Sequence, residues 1–344
     1  MKRYLILLAM AAFSLTSKAQ TDKEPFLTKS LANESLRTAK VKTTGGSITV
    51  MGGNASEAKL EMYVTTNNGM NTLSKDEIKK RLDENYTVDI SVSNNQLTAT
   101  AKPKSSFSMN WKRSLNISFK LWVPVNVTTD LGTSGGSIQL SNLNGNHTFE
   151  TSGGSISVDN VKGKMKGRGS GGSIHIAHSS NDIDIATSGG SIHAKNCMGK
   201  IKLKTSGGSL QLQNLDGNIE AETSGGGIDA DNIKGELITS TSGGSIDLSN
   251  LACTLEAETS GGSIDAEITE LGKYVKLRNS GGGITLQLPA NKGLDLDLNA
   301  DKIHVDLKNF SGSKDENSVE GKLNGGGILI DVEASSGKIN LTFK

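Results

Sequence analysis

Acidic side chains recur at a fixed interval in the second half of the chain and could carry ligand binding or catalysis. Asp229, Asp247 and Asp265 are spaced 18 residues apart, and Asp231 and Glu267 each follow one of them by two residues. Carboxylates held side by side can bind a cation, bind a basic ligand, or supply the acid and base of a glycoside hydrolase. Charged runs also occur on plain solvated faces, so these alternatives stay open.

Histidines and aspartates form a second group along the chain. His175, His178 and His193 lie near Asp182 and Asp184, and these residue types bind transition metals. The interval of 18 residues predicts that His175 and His193 share one outward column, whereas both aspartates fall on a different strand. Because a stable metal site needs three or four ligands, we predict no metal site and no cofactor.

Two further motifs are better explained by a structural role than by ligand binding or catalysis. Residues 167–172 match the Gly-x-Gly-x-x-Gly dinucleotide pattern, but a strand pattern follows them, whereas phosphate binding by this motif requires a helix. Cys197 falls in an apolar column and Cys253 in a glycine column three repeats later. Three repeats correspond to about 14 Å of stacking, so we predict no disulfide between them.

The elements that position these residues follow from an 18-residue repeat. Gly-Gly pairs begin at Gly135, Gly153, Gly171, Gly189, Gly207, Gly225, Gly243 and Gly261. Pairs at Gly45, Gly52, Gly281 and Gly325 fall outside this spacing. Two alternating apolar strands, separated by a turn, follow each regular pair. One unit cannot bury its apolar stripe, so the units must stack. The sequence predicts an all-β fold, a parallel β-solenoid with two strands in each 18-residue coil.

Stacking in register predicts columns of like residues. The Gly-Gly pairs are expected to supply corners with positive φ. An Asn column is expected to form a side-chain ladder that satisfies backbone groups at the other corner. Its members are Asn142, Asn160, Asn196, Asn214, Asn232 and Asn250. Outward columns place Lys164 beside Asp182 and Lys204 beside Glu222, and opposite charges on neighbouring strands favour this register.

The repeat divides the chain into segments. These are a signal peptide (1–19), a linker (20–40), an N-terminal β cap with a short helix (41–132), the regular coils (133–278), and irregular C-terminal coils with a cap (279–344). Ser74 and Glu77 form a capping box that predicts the start of the helix. Caps are needed because an open terminal coil is a bare sheet edge.

Composition limits the location and the partner. The first 19 residues combine a basic start, an apolar stretch and a small-x-small cleavage site, which is typical of a secretory signal. Their removal changes the net charge from +1 to −2, since they hold three basic and no acidic residues. A near-neutral chain has no electrostatic footprint for nucleic acid. No later apolar run is long enough for a transmembrane helix.

Three motifs together resemble a known bacterial family. They are the repeated Thr-Ser-Gly-Gly-Ser-Ile, a strand ending in Val123-Pro124, and Gly-Gly-Gly-Ile-Thr-Leu-Gln-Leu-Pro over 281–289. Residues 41–344 thereby resemble the bacterial "putative adhesin" family of exported β-strand-repeat proteins, a domain of unknown function. The resemblance implies a β-solenoid at or outside the cell envelope, with no catalytic residues to carry over.

These observations predict a non-enzymatic exported protein, an adhesin-like structural or binding solenoid with an envelope, surface or glycan partner. Its expected place is the periplasm, the outer-membrane surface or the extracellular space of a Gram-negative bacterium. The alternative is a polysaccharide-binding or polysaccharide-acting β-helix protein that uses the acidic face of coils 6–8. An ice-binding solenoid is disfavoured, because the Thr column is in phase with the inward residues.

Overall fold

The computed structural model describes residues 24–66, 73–104 and 114–344, and strands dominate them. The predicted all-β class is therefore confirmed. The predicted signal peptide, residues 1–19, lies outside the described residues.

The described residues form 22 strands, one α-helix and one 3-10 turn. The strands are β1 (Leu27–Ser30), β2 (Thr38–Thr43), β3 (Ile48–Gly53), β4 (Lys59–Thr66), β5 (Tyr86–Ser93), β6 (Gln96–Pro103), β7 (Leu115–Pro124), β8 (Thr128–Thr133), β9 (Ile138–Thr151), β10 (Ile156–Gly169), β11 (Ile174–Ala177), β12 (Ser180–Thr187), β13 (Ile192–Thr205), β14 (Leu210–Thr223), β15 (Ile228–Thr241), β16 (Ile246–Thr259), β17 (Ile264–Asn279), β18 (Ile284–Leu288), β19 (Leu294–Val305), β20 (Phe310–Lys314), β21 (Ser318–Leu323) and β22 (Ile328–Phe343). The helix is α1 (Lys75–Asn85) and the 3-10 turn is Ala55–Glu57.

The regular coils pair in parallel with the coils before and after them. Ile156 of β10 pairs with Ile138 of β9 and with Ile174 of β11, so each partner lies 18 positions away. Most coils are one continuous strand of 14 residues rather than two strands separated by a turn. Each strand stays continuous through its bend, where two positions have positive φ: an asparagine and, in most coils, a glycine three residues later, such as Gly217 with φ of 129°.

The first of the two bend positions is the repeated asparagine, held in the left-handed conformation. Asn214, for example, has φ of 55°, and Asn tolerates this region better than most residues because its short polar side chain bonds locally. The amide of each Asn also contacts the next coil. Asn214 Nδ2 donates to Asn196 Oδ1 at 2.8 Å, and Asn232 Nδ2 donates to Asn214 Oδ1 at 2.8 Å. His178 replaces Asn in the third coil, and Asn250 donates to Asp231 instead.

The Gly-Gly pairs have a different role from the predicted one. None of the pairs between residues 135 and 262 is in the left-handed region. A Cβ on Gly208 would lie 2.2 Å from the carbonyl oxygen of Gly190, so the second glycine of a pair lets successive backbones approach closely. A Cβ on Gly207, the first glycine, would lie 3.5 Å from its nearest neighbour, an ordinary contact. The prediction of positive φ was therefore wrong for the regular pairs, although Gly325 and Gly326 do have positive φ, of 88° and 85°.

A buried threonine fixes most of the Gly-Gly turns to the coil below, and Gly169 takes its place before Gly171. Thr223 Oγ1 donates to the carbonyl of Gly208 at 2.7 Å and accepts from the amide of Gly226 at 3.4 Å. The same two bonds are made by Thr133, Thr151, Thr205, Thr241 and Thr259. The threonine points inward because its hydroxyl meets backbone groups that water cannot reach.

The interior between the two halves of each coil is narrow and aliphatic. Phe149 is fully buried in the first regular coil. A Cβ on Gly167 would lie 2.2 Å from the Phe149 ring, so Gly167 leaves room for that ring. This glycine opens the Gly-x-Gly-x-x-Gly match, and its strand, β10, continues to Gly169 without a helix after it. Packing accounts for the motif.

The predicted linker over residues 20–40 was wrong for residues 24–40, the part that the structure describes. β1 pairs antiparallel with β4, and Leu31 and Leu36 are buried. These apolar side chains have core positions, which a linker does not provide. The Gly-Gly pair at Gly45 is equally part of the stack, since Ile48 of β3 pairs in parallel with Ile138.

β2 and β3 thus form a coil below the first regular coil, and the rest of the cap is inserted after them. β7 pairs with β3, and β6 with β2; β4 and β5 then extend the two stacks as antiparallel strands. The helix α1 begins as predicted, because the Ser74 side chain accepts a hydrogen bond from the Glu77 amide at 3.2 Å.

The C-terminal end departs from the 18-residue spacing for two reasons. β17 has 16 residues and shifts its register against β16 at several points, which absorbs extra residues before Gly281. The last coils are completed by a distant strand, since β22 pairs with β17, β18 and β19. β21 and β20 then add antiparallel strands to one half of β19.

Candidate ligand groove

The five acidic residues singled out from the sequence line one shallow groove. This groove, called the acidic groove below, has a volume of about 770 Å³ and runs across β13 to β18 and β22. Its floor is the buried column that alternates small and large apolar residues, such as Ala230 and Leu248. The groove exists because two outward columns of polar side chains stand on either side of this column.

The central acidic column stacks directly, one carboxylate on each strand. Asp229 pairs with Asp247, and Asp247 pairs with Asp265, in the parallel register. Burial, together with the charges of Asp229 and Asp265, raises the pKa of Asp247. Within the part of the chain that the structure describes, Asp229 and Asp247 form no ion pair. Like charges therefore face one another without a compensating cation from the protein.

The flanking acidic residues are engaged by neighbouring groups. Asp231 accepts hydrogen bonds from Asn250 Nδ2 at 2.7 Å and Ser249 Oγ at 2.8 Å, and these bonds lower its pKa. Glu267 lies 3.3 Å from Lys344 Nζ. The structure thus separates the predicted set into a central column without ion pairs among the described residues, in which Asp265 accepts a hydrogen bond from Ser263 Oγ at 3.3 Å, and a flanking column held by neighbouring side chains.

Several groove residues escaped the sequence analysis. Gln211 and Gln213 continue the two acidic columns toward the N-terminus, and Thr285 and Gln287 continue them toward the C-terminus. These four residues lie in the same register as the carboxylates, so extending the two acidic columns along the sequence would have identified them as groove residues. Thr342 could not be found in this way, because β22 joins the stack far outside the 18-residue interval.

The residues of the His and Asp group singled out from the sequence lie on different stacks. His175 and His193 share the outward column, as predicted, and their rings stack with centroids 4.6 Å apart and an angle of 1° between planes. Asp182 and Asp184 lie on the other stack, where they pair with Lys164 at 3.8 Å and with an arginine. The described residues contain no group of three or more His, Cys, Asp or Glu placed to hold a metal ion.

Both cysteines are free and buried. Cys253 lies in register with Gly235, and burial raises the pKa of its thiol to about 12. Burial also raises the pKa of Cys197. Since the thiolate is the reactive form, neither thiol is a nucleophile at neutral pH.

Together, the fold and the groove define a stacked β-repeat protein with a polar groove on one face. Residues 172–342 match the family model described as Toastrack DUF4097, a β-solenoid-like domain of unknown function. The matched segment begins in the Gly171–Gly172 pair and ends inside β22, so it contains the whole acidic groove. The match supports the predicted resemblance at the level of a domain family.

No curated protein matches the chain significantly. A crystal structure described as a "putative cell adhesion protein from Clostridium sporogenes" aligns with 92% of this chain and 98% of its own, at 11% identity and a TM-score of 0.24. No helix among the described residues is long and apolar enough to cross a membrane.

Proposed function

We propose that this chain is a non-enzymatic, exported envelope or cell-surface protein, an adhesin-like solenoid of parallel 18-residue coils that binds an extended partner along its acidic groove. The observation that carries the proposal is the groove itself. It crosses seven strands, which corresponds to about 30 Å of stack, and repeats similar polar groups from strand to strand. A repeating groove fits a repeating ligand.

The chemistry of the groove favours a glycan. Gln211, Gln213 and Gln287 offer both donors and acceptors, and the carboxylates of Asp229 and Asp247 accept hydrogen bonds from hydroxyl or amino groups. The open floor leaves room for a flat, extended chain. Amino sugars fit best, because their ammonium groups would offset the repulsion along the central acidic column.

A second candidate is a polysaccharide-acting enzyme in the same groove. One observation favours it. The raised pKa of Asp247, flanked by the carboxylates of Asp229 and Asp265, is the property that a general acid requires. Against it, the regular coils are free of insertions that would build a cleft around the carboxylates.

The test is retention of the purified protein on insoluble chitosan and on cellulose. A variant carrying Asp229→Asn, Asp247→Asn and Asp265→Asn should lose most of its retention on chitosan. The matched control carries Glu220→Gln, Glu222→Gln and Glu258→Gln on the other stack, removes the same charge, and should bind as the wild type does. Equal binding by both triple variants would contradict the groove proposal.

Two readouts separate the remaining alternatives. Release of reducing ends that disappears in Asp247→Asn would establish the enzyme instead of the binding protein. An epitope tag in the turn between β20 and β21, at residues 315–317, tests location by protease treatment of intact cells. Cleavage without lysis supports surface display, whereas protection until the outer membrane is opened supports a periplasmic role.

A further inference from the structure

A second cavity lies at the C-terminal end of the stack and is independent of the carboxylates of the acidic groove. It has a volume of about 720 Å³, within the range of pockets that hold small organic ligands. Asn291, Asn309 and Asn324 border it, all in the left-handed conformation. The Asn324 side chain donates to the carbonyl of residue 292 at 3.0 Å and so ties two of these turns together.

The floor of this end cavity is apolar because the cover over the last coil stops short of its end. β21 pairs with Leu294–Asn299 of β19, and the turn that precedes β21 continues along this edge as far as Ile303, whose amide donates to the Glu316 carbonyl at 2.8 Å. At Val305, within the described part of the chain, only the Lys314 side chain follows, donating to the Val305 carbonyl at 2.8 Å. Leu341 beneath is buried, while Val305 and Phe343 pack against the core and remain partly exposed. In the regular coils, the next coil covers the corresponding inward side chains.

The rim of the end cavity is cationic. Lys292 and Lys308 are exposed on it, and Asp306 is the one acidic residue among its lining residues. Within the described residues neither lysine forms an ion pair. Two free ammonium groups above an apolar floor match a molecule with an anionic head and an alkyl tail.

We propose that the end cavity binds a single-chain anionic amphiphile of the fatty-carboxylate class. The carboxylate lies between Lys292 and Lys308, and the alkyl chain covers Val305 and Phe343. The ligand thereby completes the apolar cover that the last coil lacks. This inference does not depend on the acidic groove or on its ligand.

The test is isothermal titration of the full chain with monomeric dodecanoate and with dodecyltrimethylammonium, which has the same tail and the opposite charge. We expect at least a tenfold preference for dodecanoate. The double variant Lys292→Glu, Lys308→Glu should reverse the preference. The control, Lys162→Glu with Lys234→Glu, changes the net charge equally at exposed sites and should keep it.

A chain-length series tests the floor separately. From octanoate to dodecanoate, affinity should rise by up to about fourfold for each methylene that becomes buried. Equal affinity for the two head groups, an unchanged preference in the Lys292/Lys308 variant, or no gain with chain length would each overturn the proposal.

Discussion

A buried histidine lies among aliphatic side chains in the first regular coil. His147 is 1% exposed, and its Nδ1 lies 3.0 Å from Thr129 Oγ1. Its Nε2 has no hydrogen-bond partner. Burial lowers the pKa of this imidazole to about 4, because the charged form would lose its hydration without gaining a partner.

The His147 position predicts a specific loss of stability in acid. Its pKa is about 6.5 in the unfolded chain and about 4 in the folded chain, so the unfolded state binds the proton more tightly. The contribution of neutral His147 to the free energy of unfolding is complete above pH 6.5 and decreases as the pH falls. By pH 4 the loss reaches about 3 kcal/mol. We expect His147→Met to remove this part of the pH dependence.

Urea unfolding between pH 7 and pH 4 measures the effect as the difference between the wild type and the variant, which cancels the titration of carboxylates elsewhere. The exposed His304→Gln variant is the control and should follow the wild type. Parallel stability curves for wild type and His147→Met would refute the assignment.

The asparagine column stabilises the fold through both its left-handed backbone conformation and its side-chain hydrogen bonds. Two substitutions separate these two contributions. Asn214→Gly keeps the left-handed backbone but removes both ladder bonds, at a cost of about 1–2 kcal/mol. Asn214→Ala loses the bonds and also places a Cβ in the left-handed region, which costs about 1–2 kcal/mol more. Thermal unfolding should rank the variants in that order. An alanine variant as stable as the glycine variant would show that the conformation is not limiting.

The Gly207–Gly208 turn contains one glycine that the stack requires and one position where a methyl group fits. Gly208→Ala would bring a Cβ to 2.2 Å from a carbonyl oxygen of the preceding coil, whereas in Gly207→Ala the distance is 3.5 Å. We expect Gly208→Ala to destabilise the protein by at least about 1–3 kcal/mol and Gly207→Ala to change stability by less than about 1 kcal/mol. Calorimetry of the two neighbouring variants checks this, and similar losses in both would argue against close approach as the reason.

Sequence periodicity predicted the columns because an 18-residue interval places each residue next to the residue 18 positions later, whatever the detailed geometry of the coil. The interval alone was therefore enough to place Asp229 and Asp247 side by side. The periodicity did not reveal how each corner is built, since Asn and Gly-Gly both occur at turns and only their φ values and contacts distinguish them. It also missed the coil at Gly45, although Thr-Thr-Gly-Gly-Ser-Ile over 43–48 repeats the motif, because a long insertion separates it from Gly135.

The groove was predictable to the same extent as the coils. Its carboxylates share the regular interval, but Thr342 enters from β22, after two hairpin strands that sequence spacing cannot position. The end cavity has no sequence signal at all. Lys292, Val305 and Phe343 belong to segments of unequal length, and only the closure of the last coil brings them together.

At the scale of the whole molecule, each coil contacts mainly its two neighbours, so a complete coil should be removable. Deleting residues 210–227 joins Ser209 to Ile228 and places Lys195 opposite Asp231 and Ile201 opposite Leu237. Inward and outward columns are kept, and opposite charges meet. We expect a folded protein with unchanged strand content per residue by circular dichroism and a slightly lower melting temperature, because one interface is lost.

The control deletes only residues 210–218. This removes half a coil, so the following strand cannot rejoin the stack in register, and cooperative unfolding should be abolished. If the 18-residue deletion behaves as badly as the 9-residue deletion, the stack depends on contacts beyond nearest neighbours, and the molecule is not the sum of its coils.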